Sequence, residues 1–141
     1  HVTTTLADPA TIAGILGEVD HPAVRLNVDP VNLLGTIDDA FANGERMREA
    51  ARVLGPWYAP TAHLKDVVVR PELVVHIDEV PPGEGILDLD AYVAVVRSLG
   101  PDVAVIVEHL PAEQVRRALA VTREAAAARG IVFAAPTPEA A

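Results

Sequence analysis

Asp29, His63 and Glu108 are the residues of this 141-residue chain whose types and positions could do chemistry. Each stands in or at the end of a short, β-branched stretch that reads as a strand, Asp29 and Glu108 at its C-terminal end. Ala23 to Val28 leads into Asp29 and Pro30, His63 lies early in Thr61–Val69, and the apolar run Val103–Val107 ends in Glu108 and His109. If those strands are parallel, their C-terminal ends share the edge at which such folds gather functional groups. Two carboxylates and an imidazole converging there cannot stay uncompensated, because burying an ionised carboxylate costs several kcal/mol. A divalent cation would compensate them, and this oxygen and nitrogen donor set suits Mn, Mg, Co or Zn. Such a cation polarises a carbonyl or hydroxyl oxygen and acidifies a neighbouring proton. Two of them also have a plainer reading, Asp29 before Pro30 as a turn or cap aspartate and His63 as a satisfied strand-end histidine; Glu108, after five apolar residues and before a proline-initiated helix, is less easily dismissed.

The elements that would position these residues follow from local signals. Asp8-Pro9 opens a helix over 9–19, because aspartate accepts first-turn amide protons and proline suits the first helical position; Ile12, Ile15, Leu16 and Val19 recur at helical spacing. The strand over 23–29 alternates Arg25, Asn27 and Asp29 with Val24, Leu26 and Val28. Thr36 with Asp39 predicts a helix running to about Leu54, with Asn43-Gly44 as a weak point. The strand over 61–69 places His63, Lys65 and Val67 on one face. Residues 70–85 read as an excursion, in hairpin form or as a loop, ending in the Pro81-Pro82-Gly83-Glu84-Gly85 turn. A helix from Leu89 to Leu99, a buried strand over 103–107 and a helix from Pro111 to Gly130 follow. Residues 131–141, with Pro136 and Pro138, read as a tail, and the domain is set at 1–135 with 136–141 outside it.

Strands alternating with helices imply a parallel α/β sheet. A (β/α)8 barrel takes about 250 residues, so this length supplies roughly half of one, or alternatively an open α/β sheet. With 20 acidic against 11 basic side chains and a net charge of −9, no nucleic-acid or anionic-membrane partner is expected. Cysteine is absent, which removes disulfides and thiolate ligands and suits the cytoplasm, the expected location. No apolar run reaches membrane-spanning length and the N-terminus lacks signal-peptide order.

Four stretches resemble the xylose isomerase-like, or sugar phosphate isomerase/epimerase, barrels. Residues 25–33 (Arg-Leu-Asn-Val-Asp-Pro-Val-Asn-Leu) are similar to that family's sixth strand, and Ala62-His63-Leu64-Lys65-Asp66 to its seventh-strand His-x-Lys-Asp segment. Residues 82–88 are similar to the Gly-x-Gly-x-x-Asp loop, and Val105-Ile106-Val107-Glu108-His109 to the eighth strand. The resemblance implies the C-terminal half of a (β/α)8 TIM barrel with Asp29, His63 and Glu108 as metal ligands, and Glu108 also as the acid/base residue. It implies an isomerase or epimerase of a sugar or polyol that exchanges a proton beside a carbonyl through a metal-stabilised enediolate. A dehydratase of inosose or dehydroshikimate type, or a non-catalytic half-barrel used for binding or assembly, are the alternatives. Strands one to five, with a fifth-strand glutamate ligand, would lie before His1, so self-association or pairing with the missing half is expected.

Lys65, Asn32, Glu84 and Glu79 are the candidate substrate-binding residues. Lys65 could equally hold an internal carboxylate, and Glu79 and Glu84 also read as solvated loop acids. Asn32 stands where some epimerases and the related abasic-DNA endonucleases carry histidine. His76-Ile77-Asp78 reverses the endonucleases' Asp-x-His pair, which with the charge argues against DNA repair. Arg25 and Asn27 read as interior polar network, and His21, His76 and His109 as structural or exposed.

Overall fold

The computed structural model describes residues 6–134. Asp8 accepts a 2.9 Å hydrogen bond from the Thr11 amide and starts α1 (Pro9–Val19), which ends at Asp20 in the left-handed region (φ 39°). Its buried Ile12 and Leu16 pack with Leu54, Leu26, Leu33 and Trp57 in a small apolar cluster. After β1 (Leu26–Val28) and a single 3-10 turn over Val31–Leu33, Thr36 and Asp39 form a reciprocal capping box that opens α2 (Ile37–Phe41).

The helix expected over 36–54 is two helices. Ala42 leaves helical geometry and α3 (Asn43–Leu54) begins at a buried asparagine. The Asn43 amide group donates to Ala40 O and Ile86 O at 2.7 and 2.9 Å and accepts from the Asp88 amide at 2.7 Å. A long-range clamp on residues 86–88 thus sets the break that the Asn-Gly pair only hinted at.

The stretch expected as one strand over 61–69 also divides. β2 (Tyr58–Leu64) lies at the centre of a parallel sheet ordered β1-β2-β5, with β5 (Ala104–Val107) on its other side. β3 (Asp66–Arg70) instead pairs antiparallel with β4 (His76–Val80), so the excursion after residue 70 is a hairpin. Lys65 is the hinge between them. α4 (Leu89–Ser98) and α5 (Ala112–Ala127) follow, capped by Asp88 and led by Pro111.

The core lies between sheet and helices. Val28, Ala62 and Leu64 meet Met47 of α3, Tyr92, Val93 and Val96 of α4 and Ala126 of α5. The buried Tyr92 hydroxyl donates to His63 O at 3.0 Å, tying α4 to the central strand near its end. Residues 131–134 are not a free chain end, since Ile131 and Phe133 pack on this core; the tail expected over 136–141 lies outside the described residues. Among the described residues β1 and β5 each pair on one side only, and Ile106 of β5 is 43% exposed. No described helix is long and apolar enough to cross a membrane.

Candidate metal centre

Parallel register delivers the three strand-end residues to one edge. Val28 aligns with Ala62, His63 with Ile106 and Leu64 with Val107, so Asp29, His63 and Glu108 emerge together although 34 and 45 positions separate them in sequence. Each offers a ligand atom, and these atoms all lie within 4.8 Å of one another. His63 Nδ1 stands 3.3 Å from Asp29 Oδ2 and 3.0 Å from Glu108 Oε1. All three side chains are partly buried, at 14, 29 and 20% exposure for Asp29, His63 and Glu108.

Lys65 and Asn32 join this group. The Lys65 ammonium, 5% exposed, lies 2.7 Å from Glu108 Oε1 and 3.1 Å from both Asp29 Oδ2 and Asn32 Oδ1. Asn32 Nδ2 donates to Asp29 Oδ2 at 2.6 Å. Burial alone would depress the Lys65 pKa, but hydrogen bonding and charge from Glu108 and Asp29 outweigh it and hold it above the ordinary lysine value. Burial likewise pushes Glu108 up, but Lys65, with smaller contributions from His63 and His109, brings it below the usual glutamate value. Glu108 is therefore a carboxylate at neutral pH.

The donor atoms are not saturated. Asp29 Oδ1 and Glu108 Oε1 are buried without a hydrogen bond, Oε1 meeting Lys65 Nζ as a 2.7 Å ion pair. Orphaned carboxylate oxygens are costly in a protein interior. A divalent cation bound by oxygen and imidazole would satisfy them, so the residues present fit such an ion.

Glu79 and Glu84 are not in this group. Glu79 holds His109 Nδ1 at 3.0 Å, and both line an open groove of about 390 Å³ together with Pro81, Pro111 and Gln114. His109, in the left-handed region at φ 59°, also stands 3.8 Å from Glu108 Oε2. Glu84 pairs with Arg117 of α5 at 2.8 Å. Arg25 donates to Pro56 O at 2.9 Å, and Asn27 donates weakly to Val28 O at 3.4 Å.

Sequence reasoning missed Asp66. Only 1% exposed, its carboxylate accepts from the amides of Val67, Gly83, Gly85 and Leu87 at 2.8 to 3.0 Å and gathers the glycine loop against β3. Gly85 has no room for a side chain, because a Cβ would run into Val67 O and that same carboxylate. The His-x-Lys-Asp segment held the signal: an acid between a metal-edge lysine and the apolar Val67–Val69 run must find donors nearby.

The family of xylose isomerase-like TIM barrels matches residues 1–125. The chain belongs to that family. Its fold is that of a partial TIM barrel, with which the three parallel strands and their covering helices agree. Among solved structures, a xylose isomerase domain protein from Planctomyces limnophilus is similar at 19% identity and a TM-score of 0.59, over 90% of this chain and 44% of that one. The IOLI protein, whose structure has a bound zinc atom, is similar at 23% identity and a TM-score of 0.50, over 82% of this chain and 41% of that one. At these identities the likeness concerns the fold. The chain thus spans less than half the length of either xylose isomerase-like structure. No curated protein matches the sequence.

Proposed function

We propose that this chain is the metal-holding part of a divalent-metal-dependent isomerase or epimerase acting on a sugar or polyol. One observation carries the reading: ligand atoms of Asp29, His63 and Glu108 converge within 4.8 Å at the C-terminal edge of three adjacent parallel strands. The three residues would hold the cation, which when bound polarises a substrate carbonyl or hydroxyl oxygen and acidifies the adjacent C–H. Glu108, ionised and one-fifth exposed, would take that proton and return it. Asn32 and Lys65 orient the Asp29 and Glu108 carboxylates. The groove lined by Glu79 and by His109, the neighbour of Glu108 in sequence, would offer polyol hydroxyls acceptors and donors. The zinc in the IOLI protein supports a divalent ion of that kind.

The single-sided edges of β1 and β5 favour a companion for this sheet, either further barrel strands or a second copy of the chain. The acidic, cysteine-free composition suits a cytoplasmic enzyme. The test is exchange of solvent deuterium into a ketose by the protein carrying a complete barrel. Exchange should require a divalent metal and disappear in Glu108→Gln; full exchange in the presence of a chelator refutes the proposal.

A further inference from the structure

Lys65 sits inside the ligand set rather than beside it. An ammonium carries three donors, and Lys65 faces three protein oxygens: it hydrogen-bonds Asp29 Oδ2 and Asn32 Oδ1 at 3.1 Å each and ion-pairs with Glu108 Oε1 at 2.7 Å. Its side chain is 5% exposed, so it has neither a spare proton nor an open path with which to grip a substrate oxygen. The two carboxylate oxygens it holds are the same two that face His63 Nδ1, at 3.3 and 3.0 Å.

We propose that the Lys65 ammonium is the built-in counter-cation of the Asp29–His63–Glu108 set, holding both carboxylates in ligand position before a divalent ion arrives and competing with that ion for their oxygens. The inference deepens the metal reading above and rests on it. Two carboxylates a few ångströms apart repel each other; one ammonium between them leaves a single negative charge in excess and keeps both side chains on the inner edge of the sheet. A divalent ion held by His63 and these two carboxylates would stand close to the ammonium that already holds them. Even with strong screening, like charges at such a distance weaken binding by about tenfold or more. Lys65 is thus a positioning residue, one that preorganises the ligands and limits how tightly they hold metal.

The experiment is calorimetric titration of the 141-residue chain with Zn²⁺, using wild type, Lys65→Met and Lys65→Arg, with thermal unfolding of each in chelator and in saturating Zn²⁺. Lys65→Met should bind Zn²⁺ about tenfold or more tightly than wild type. It should melt lower than wild type in chelator and gain more from Zn²⁺, while Lys65→Arg keeps wild-type affinity. Zn²⁺ binding by Lys65→Met where wild type shows none also supports the proposal. If Lys65→Met is unfolded in chelator, folding on addition of Zn²⁺ supports it and remaining unfolded overturns it. Unchanged or weaker affinity in a folded Lys65→Met overturns it while leaving the metal site standing. Absence of Zn²⁺ binding in wild type and both folded variants overturns the metal reading itself, and this inference with it.

Discussion

Replacing Asp66 with asparagine tests how the glycine loop is held. Asp66 Oδ1 accepts from the Val67 and Leu87 amides at 2.8 Å each, and Oδ2 from the Gly83 and Gly85 amides at 2.9 and 3.0 Å. Asparagine offers one carbonyl oxygen, so whichever way its amide turns, two backbone N–H groups lose their acceptor and face an NH₂ instead. A buried donor left unsatisfied costs about 1–3 kcal/mol, so two cost about 2–6 kcal/mol, and the two bonds that survive also lose their charge assistance. Against a typical domain stability of about 5–15 kcal/mol that is a large fraction. Chemical denaturation of wild type and Asp66→Asn gives the difference, and amide hydrogen exchange locates it. Gly83, Gly85 and Leu87 should lose protection first, ahead of the α1 amides. A destabilisation under about 1 kcal/mol, or exchange that rises evenly over the chain, would falsify the view that this carboxylate anchors the loop.

Gly85→Ala should destabilise by about 1–3 kcal/mol through overpacking against Val67 O and Asp66, whereas Gly14→Ala, in α1 with nothing within 4 Å of the new methyl group, should be neutral or stabilise by up to about 1 kcal/mol; paired denaturation curves compare them. The two tyrosines give a pH signature. Burial pushes Tyr58 up to about 12, and burial with the Asp29 charge raises Tyr92 further, while an unfolded phenol ionises near pH 10. The folded protein keeps both phenols neutral, so their contribution to stability is whole below about pH 10 and is lost as pH rises towards 12 and beyond. Phenolate absorbance should appear only above that window, together with unfolding; ionisation near pH 10 with the circular dichroism intact contradicts the burial.

Much of the architecture was legible because its signals are local. Asp8 with Pro9 and Thr36 with Asp39 act within one helical turn, and both helix starts stand as read. Alternation and apolar runs located the three parallel strands, though β1 is shorter at Leu26–Val28 and β2 begins earlier, at Tyr58. Boundaries set by distant partners were not legible. The break at Ala42 depends on Asn43 reaching Ile86 and Asp88, and the division of residues 58–70 into two sheets depends on Asp66 collecting amides from residues 83–87.

The candidate site divides in the same way. Residue type and strand-end position singled out Asp29, His63 and Glu108 without coordinates, because the carboxyl edge of a parallel sheet is set by strand direction. Whether they meet rests on the register that aligns Val28 with Ala62 and His63 with Ile106, a long-range pairing that strand patterns do not encode. Side-chain reach likewise required the folded chain. It turned Lys65 and Asn32 onto the ligand carboxylates, joined Glu79 to His109 and sent Glu84 to Arg117. Sequence alone determined the family, the alternation of strands and helices and the candidate donor residues, all carried by neighbours a few positions apart. Tertiary structure alone decided which charges share an oxygen, because that depends on ångström distances between segments tens of residues apart.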